Sequence, residues 1–172
     1  MPKHLCLLII PLLLNACASS PAFDTTGVNR SLTPQSVATG TQAATGKQVL
    51  WGGSIISTTN LKDRTQIEVL AYPLDTNSRP LSGGNPQGRF ILEQAGYLEP
   101  VNYAQGRLLT VSGTVTGSRT GKVGDSDYDF PVVQATQLNL WPKEQEEAGP
   151  GIHFGIGAGS GGSTWGGVGI GF

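Results

Sequence analysis

Val49-Leu50-Trp51-Gly52-Gly53-Ser54-Ile55-Ile56 decides the fold. It is an apolar, strand-forming run broken by two adjacent glycines. Glycine pairs weaken a straight strand but suit a bulge or a sharp coil. Downstream, Asn60-Leu61-Lys62-Asp63-Arg64 reads as a turn. Thr65–Leu74 then alternates Ile67, Val69 and Ala71 with Gln66 and Glu68, the period of a half-buried strand. A loop with Pro80, Gly83-Gly84 and Pro86 leads to a short strand over Arg89–Glu93. Gly96–Gly106 is a connector with room for one helical turn around Val101-Asn102-Tyr103. Leu108–Gly117 and Tyr128–Trp141 supply two further strands. No segment holds a 3.6-residue apolar period over three turns. Five short strands with glycines at the bends predict an all-β domain, a small OB-like Greek-key barrel, with a β-sandwich as the alternative. Closing so small a barrel demands strong coiling, which Gly52, Gly53 and Gly113 can absorb.

Outward from this core the composition changes. Of 23 charged residues among 172, 20 lie between Lys47 and Glu147, and Ala148–Phe172 carries none. An ordinarily charged domain therefore lies between two weakly charged arms. The formal net charge of −1 argues against nucleic acid as a partner, because bulk electrostatic binding needs a basic face. Residues 18–46, rich in Ser, Thr, Ala, Gln, Gly and Pro with only Asp24 and Arg30 charged, read as a flexible tether. As a random coil it would hold the domain about 30 Å from its attachment point.

The N-terminus reads as an address. Lys3 precedes the apolar run Leu5–Leu14, which is too short to span a bilayer and has the layout of a secretory signal. Leu14-Asn15-Ala16-Cys17 resembles a bacterial lipobox, which implies cleavage after residue 16 and lipid attachment at Cys17. Three acyl chains there would anchor the chain permanently. Ala18, where an Asp would favour the inner membrane, implies the outer membrane. Cleavage also removes Cys6, so no disulfide can form within the mature chain. The organisation expected is a signal peptide over 1–16, a lipidated tether over 17–46, the barrel over 47–147 and a glycine-rich tail over 148–172.

Within the barrel region, Trp51-Gly52-Gly53, Ile67 through Asp75, Gly88-Arg89-Phe90, Gly96-Tyr97-Leu98-Glu99-Pro100-Val101-Asn102-Tyr103, Leu109 through Val115 and Leu140-Trp141 resemble the Slp family of starvation-inducible outer-membrane lipoproteins. The resemblance covers residues 47–142 and the lipobox. It implies an outer-membrane lipoprotein tied to starvation and envelope stress, and it brings no catalytic residues.

The residues themselves offer little chemistry. Triads, imidazole bases and His-based metal sites need histidine in the domain, and the mature chain has only His153, in the tail. No free thiol, phosphate loop or cofactor motif is present, so neither catalysis nor a cofactor is expected. Asp125, Asp127 and Asp129 alternate like the opening of a Ca²⁺ loop but lack its turn glycine and distant Glu; a solvated turn is the plainer reading. Glu68 and Glu93 could serve as a glycosidase pair only if the fold brought them together. Trp51 and Trp141 fall in strand alternation and are expected in the core, which leaves Tyr72, Tyr97, Tyr103 and Tyr128 as candidate ligand contacts for a glycan or peptide.

In the tail, Gly149–Phe172 holds 11 glycines in 24 residues. Ile152, Phe154, Ile156 and Ala158 alternate with His153 and glycines, and Val168, Ile170 and Phe172 alternate with glycines beyond a Ser160–Ser163 turn. A flexible tail is the default for such composition, and a hairpin able to self-associate or meet an envelope partner is the alternative. The role expected of the whole is structural or protective in the envelope, the alternative being a ligand-binding module.

Overall fold

A computed structural model describes residues 22–40, 42–143, 152–158 and 164–170, the last two stretches as backbone only. Strands β1 (Gln48–Asn60), β2 (Arg64–Ala71), β3 (Arg89–Ala95), β4 (Leu108–Val123) and β5 (Ser126–Leu140) close into a barrel in the order β1-β2-β3-β5-β4. All pairings are antiparallel except β3 with β5, where Ile91 meets Val132 and Glu93 meets Gln134. This is the OB-like closure expected, and it excludes the sandwich.

The glycine pair works as a hinge between partners. β1 pairs with β4 from Gln48↔Thr114 to Ser54↔Leu108, and with β2 from Gly53↔Ala71 to Asn60↔Thr65. Where the two ladders overlap, the backbones crowd: a Cβ on Gly53 would stand 1.9 Å from the Leu70 carbonyl oxygen. Gly113 on β4 is the counterpart, with the Gln134 carbonyl oxygen 2.2 Å from where its Cβ would be. Only glycine permits both approaches.

Alternation fills the interior. Ile67, Val69 and Ala71 point in, and they meet Val49, Ile55, Phe90, Leu92, Leu109, Val111, Val115 and Val133, all buried. Trp51 joins them, its ring edge-on to Phe90 at 5.3 Å. Each such side chain contributes about 1.5–3 kcal/mol by leaving water. A second cluster of Ile91, Phe130 and Val132, with Tyr128 against it, lies outside the main core.

Residues 22–46 correct the tether reading. Thr33 caps a short helix α1 (Pro34–Ala38) in a capping box with Ser36, and Pro34 opens it. Leu32 and Ala44 are both 4% exposed and belong to the barrel core. Main-chain bonds sew the arm down: Asn29 N–H to Gln48 O, Gln35 N–H to Gln87 O and Gly46 N–H to Val115 O, each 2.8 Å. The composition is polar, but a few apolar residues at the right places and donors aimed at free carbonyls suffice to dock it. The strands also outrun the sequence reading. β4 passes through Gly117, where the register shifts, and β5 begins before Tyr128, so the two make a long hairpin turning at Gly124.

The tail forms a separate two-stranded antiparallel sheet, β6 (Ile152–Ala158) with β7 (Thr164–Ile170), in register from Ile152↔Ile170 to Ala158↔Thr164. The signal peptide, Cys17, the Ser160–Ser163 turn and Phe172 lie outside the described residues.

Candidate functional site

The barrel end formed by the start of β4 and the end of β5 is roofed by the loop after β2. Leu74 and Pro80 bridge, and the Asp75 carboxylate accepts from the Asn77 and Arg79 amides at 2.8 Å each. This brace holds Ser78 in the left-handed region at φ 65°, a conformation that non-glycine residues adopt only when surroundings enforce it. Ser78's carbonyl accepts from the buried Thr110 hydroxyl at 2.6 Å, and Thr110 in turn accepts from the Trp141 indole N–H at 2.9 Å. The loop is thereby bolted to β4 and to the residue after β5.

Arg79, the next residue, lies with its guanidinium carbon 5.4 Å from the centre of the Trp141 ring. Across from it, Arg107 donates through Nη1 to the Asn102 carbonyl at 3.0 Å and through Nη2 to the Trp141 carbonyl at 2.8 Å. These side chains, with Ser54, Tyr72 and Lys143, line a cleft of about 410 Å³. Among the described residues, no Asp or Glu lines it.

The four tyrosines singled out from the sequence do not gather on one face. Tyr72 lines the cleft. Tyr97 is 67% exposed on the connector, its hydroxyl 3.3 Å from Glu99. Tyr103 packs against the core, and burial raises its hydroxyl above the ordinary value, with Arg107 opposing. Tyr128 stacks edge-on with Phe130, and its hydroxyl accepts from the Arg89 amide at 2.9 Å. Two tryptophans were expected in the core. Trp51 is there, whereas Trp141 is buried outside both clusters, beneath Arg79.

The acidic groups are engaged with neighbours. Asp127 pairs with Lys122 at 2.7 Å and Asp129 accepts from Thr120 at 2.6 Å, while Asp125 sits exposed at the hairpin tip. Glu68 pairs with Arg89 at 2.7 Å, and Glu93 lies 3.3 Å from Arg64 and 3.0 Å from Arg119. Among the described residues no three His, Cys, Asp or Glu side chains form a group able to hold a metal ion. Sequence reasoning missed the cationic cleft. The Asp75-Thr76-Asn77-Ser78 turn was visible as a loop, but nothing local places Arg79 over a tryptophan 62 residues away.

Comparison with known proteins adds the family. The family model described as "Outer membrane lipoprotein Slp family" matches residues 14–157. The match is wider than the sequence resemblance, for it also takes in the arm between lipobox and barrel and the first part of the glycine-rich tail. The lipoprotein YeaY of Escherichia coli K12 is 32% identical over 139 residues, 78% of this chain and 70% of that one. Outer membrane protein Slp of the same organism is 32% identical over 143 residues, 82% of this chain and 76% of that one. A Haemophilus influenzae protein is 40% identical over 96 residues, 55% of this chain and 52% of that one. Among solved structures, the small single-stranded DNA-binding protein of Streptomyces coelicolor gives a TM-score of 0.31 at 14% identity, over 55% of this chain and 94% of that one. Pot1pC of Schizosaccharomyces pombe gives 0.33 at 11%, over 61% and 86%. Lipobox, barrel and the first part of the tail thus fall under a single family description, and the chain belongs to the outer membrane lipoprotein Slp family.

Proposed function

We propose that this lipid-anchored outer-membrane protein is a non-catalytic barrel seated on the bilayer through an acylated Cys17, with a structural or protective role in the envelope under starvation or stress. The docked arm carries this reading. The Asp24 amide already donates to Gln137 on β5 at 2.9 Å, so only the residues from Cys17 to Asp24 separate lipid from barrel. Fully extended, that stretch spans about 25 Å at most, whereas a loose arm through residue 46 would reach about 100 Å. The barrel is held as a fitting on the membrane surface, unable to range through the periplasm. Carboxylates paired with cations and hydroxyls, and the lack of histidine in the barrel, support the non-catalytic part.

A second reading, a module binding a periplasmic glycan or peptide, draws on the cleft beside Tyr72. The tail sheet adds a route to self-association through 149–172, since a lone hairpin is marginal in water and two strands leave both edges unpaired. The test is complementation. In a deletion strain, the native gene is expected to restore resistance of stationary-phase cells to detergent with chelator, and Cys17→Ser to give a soluble periplasmic chain that does not. Full restoration by Cys17→Ser, or a native chain free of acyl groups by mass spectrometry, would overturn the reading.

A further inference from the structure

We infer that the barrel end formed by the β1–β2 turn and the connector before β4 lies against the bilayer. Three of the four large apolar side chains left exposed among the described residues are on these two segments: Leu61 at 42%, Tyr97 at 67% and Val101 at 72%. They are held in place. The buried Thr65 hydroxyl bridges the Gly96 carbonyl and the Leu98 amide, 2.9 Å from each. The Gly96 amide donates to the Asp63 carbonyl at 3.0 Å, and the Asn60 side-chain amide to the Leu98 carbonyl at 3.1 Å. Tyr97 is thereby fixed beside the turn that carries Leu61. The turn bearing Val101 is fastened too. The Tyr103 amide donates to the Glu99 carbonyl at 3.2 Å, and the Asn102 carbonyl accepts from Arg107 at 3.0 Å. Apolar side chains on so rigid a backbone lose little freedom when something covers them, which preorganises a docking surface.

The reach of the anchor selects the occupant. Asp24 is held at Gln137, and the stretch from Cys17 to Asp24 spans about 25 Å at most. From Gln137 the chain runs about 13 Å to Trp141. The Trp141 carbonyl shares the Arg107 guanidinium with that of Asn102, the neighbour of Val101. The connector end therefore falls within the tether's span. In the other direction β5 runs about 36 Å from Gln137 to Ser126 beside the hairpin tip, farther than the tether extends. Of the two ends, the one that the lipid can bring to a bilayer is the one with the apolar side chains. Their exposed area, on the order of 400 Å², is about half of what each partner gives to a standard protein interface, but it suits shallow entry among lipid headgroups. Lys62 and Arg64 offset Asp63 and Glu99, so apolar burial carries the contact, helped by Tyr97, a residue type favoured at the headgroup layer. The inference rests on the acylated Cys17 proposed above and adds which face of the barrel meets the membrane.

The test reads water access on the acylated full chain in vesicles of phosphatidylethanolamine and phosphatidylglycerol. With Cys6 removed and the Cys17 sulfur alkylated, an introduced cysteine is the only thiol. A fluorophore is attached at Asn102→Cys in the connector or at Asp125→Cys at the hairpin tip, both exposed positions. The connector label is expected to be quenched severalfold less by iodide than the tip label, and more by nitroxide lipids labelled near the headgroup. Exchanging phosphatidylglycerol for phosphatidylcholine is expected to change neither. Adding Leu61→Ser, Tyr97→Ser and Val101→Ser is expected to raise iodide quenching of the connector label to that of the tip, with the melting transition intact because all three side chains are exposed. Equal access for the two labels on chains that float with the vesicles overturns the inference and leaves the anchor standing. Chains that fail to float overturn the anchor, and the inference falls with it. Protection of the connector label in the soluble Cys17→Ser chain also overturns it. A dimer by sedimentation would then assign the surface to a second copy, and exposure of the label on deleting 148–172 would assign it to the tail.

Discussion

The indole N–H of Trp51 donates to the main-chain carbonyl of Leu32 at 2.9 Å, from a ring that also packs edge-on against Phe90 in the barrel centre. One side chain thus belongs to the core and to the arm's attachment at once. Polar groups buried in this way are expensive to leave unpaired, so the bond ties the arm's position to the barrel's integrity.

Trp51→Phe keeps most of the ring and removes the donor. The buried Leu32 carbonyl then loses its partner, at a cost of about 1–3 kcal/mol. Because the loss falls on the arm, trypsin is expected to cut at Arg30 sooner than in the native chain while the barrel survives. An unchanged digestion pattern would mean the arm is held by other contacts alone.

Gly53→Ala sets a methyl group against the Leu70 carbonyl, 1.9 Å away before any adjustment. Backbone must shift on two strands, so a loss of about 3 kcal/mol or more in urea unfolding is expected, at the upper end for overpacking. Gly83→Ala, with nothing within 4 Å of the new Cβ, should stay within about 0.5 kcal/mol. Equal effects at the two sites would contradict the hinge role of Gly53.

Glu93 is only 14% exposed and sits between Arg64 and Arg119, which ties β2, β3 and the β4–β5 hairpin together. Glu93→Gln is expected to cost about 1.5 kcal/mol, at the lower end of the range for hydrogen bonds to charged groups because both arginines are partly exposed. The Lys122–Asp127 pair is 62% and 75% exposed, so Asp127→Asn should change stability by less than about 0.5 kcal/mol. Thermal melts of the two variants side by side distinguish them.

How far these relationships were legible in the sequence differs by element. Ile67, Val69 and Ala71 announced their strand because one face is buried and the next residues are not. The glycine pair announced a bend because nothing else tolerates the approach. The arm was misread because its docking uses main-chain donors, which composition does not reveal; only the Thr33–Ser36 capping pair and Leu32 hinted at order. The cleft was illegible for a different reason. Arg79, Arg107 and Lys143 are far apart in the chain, and only the closure of β4 onto β5 brings their segments to one end.

Tyr103 packs against the core, and burial raises its pKa above the ordinary value of 10.0. In the unfolded chain the phenol ionises first as pH rises past that value, so the unfolded state then binds fewer protons. Stability is expected to fall with rising pH from there upward, and Tyr103→Phe to flatten that part of the profile. Urea unfolding of the native chain and the variant across the alkaline range checks this; identical stability profiles would place the Tyr103 hydroxyl in water.

Hydrogen exchange on the lipidated chain in outer-membrane vesicles addresses the seat itself. The amides of Asn29, Gln35 and Gly46, which donate to Gln48, Gln87 and Val115, are expected to exchange as slowly as neighbouring barrel amides. Exchange at the rate of unstructured chain would return residues 22–46 to a loose leash and leave the barrel free to wander from the bilayer.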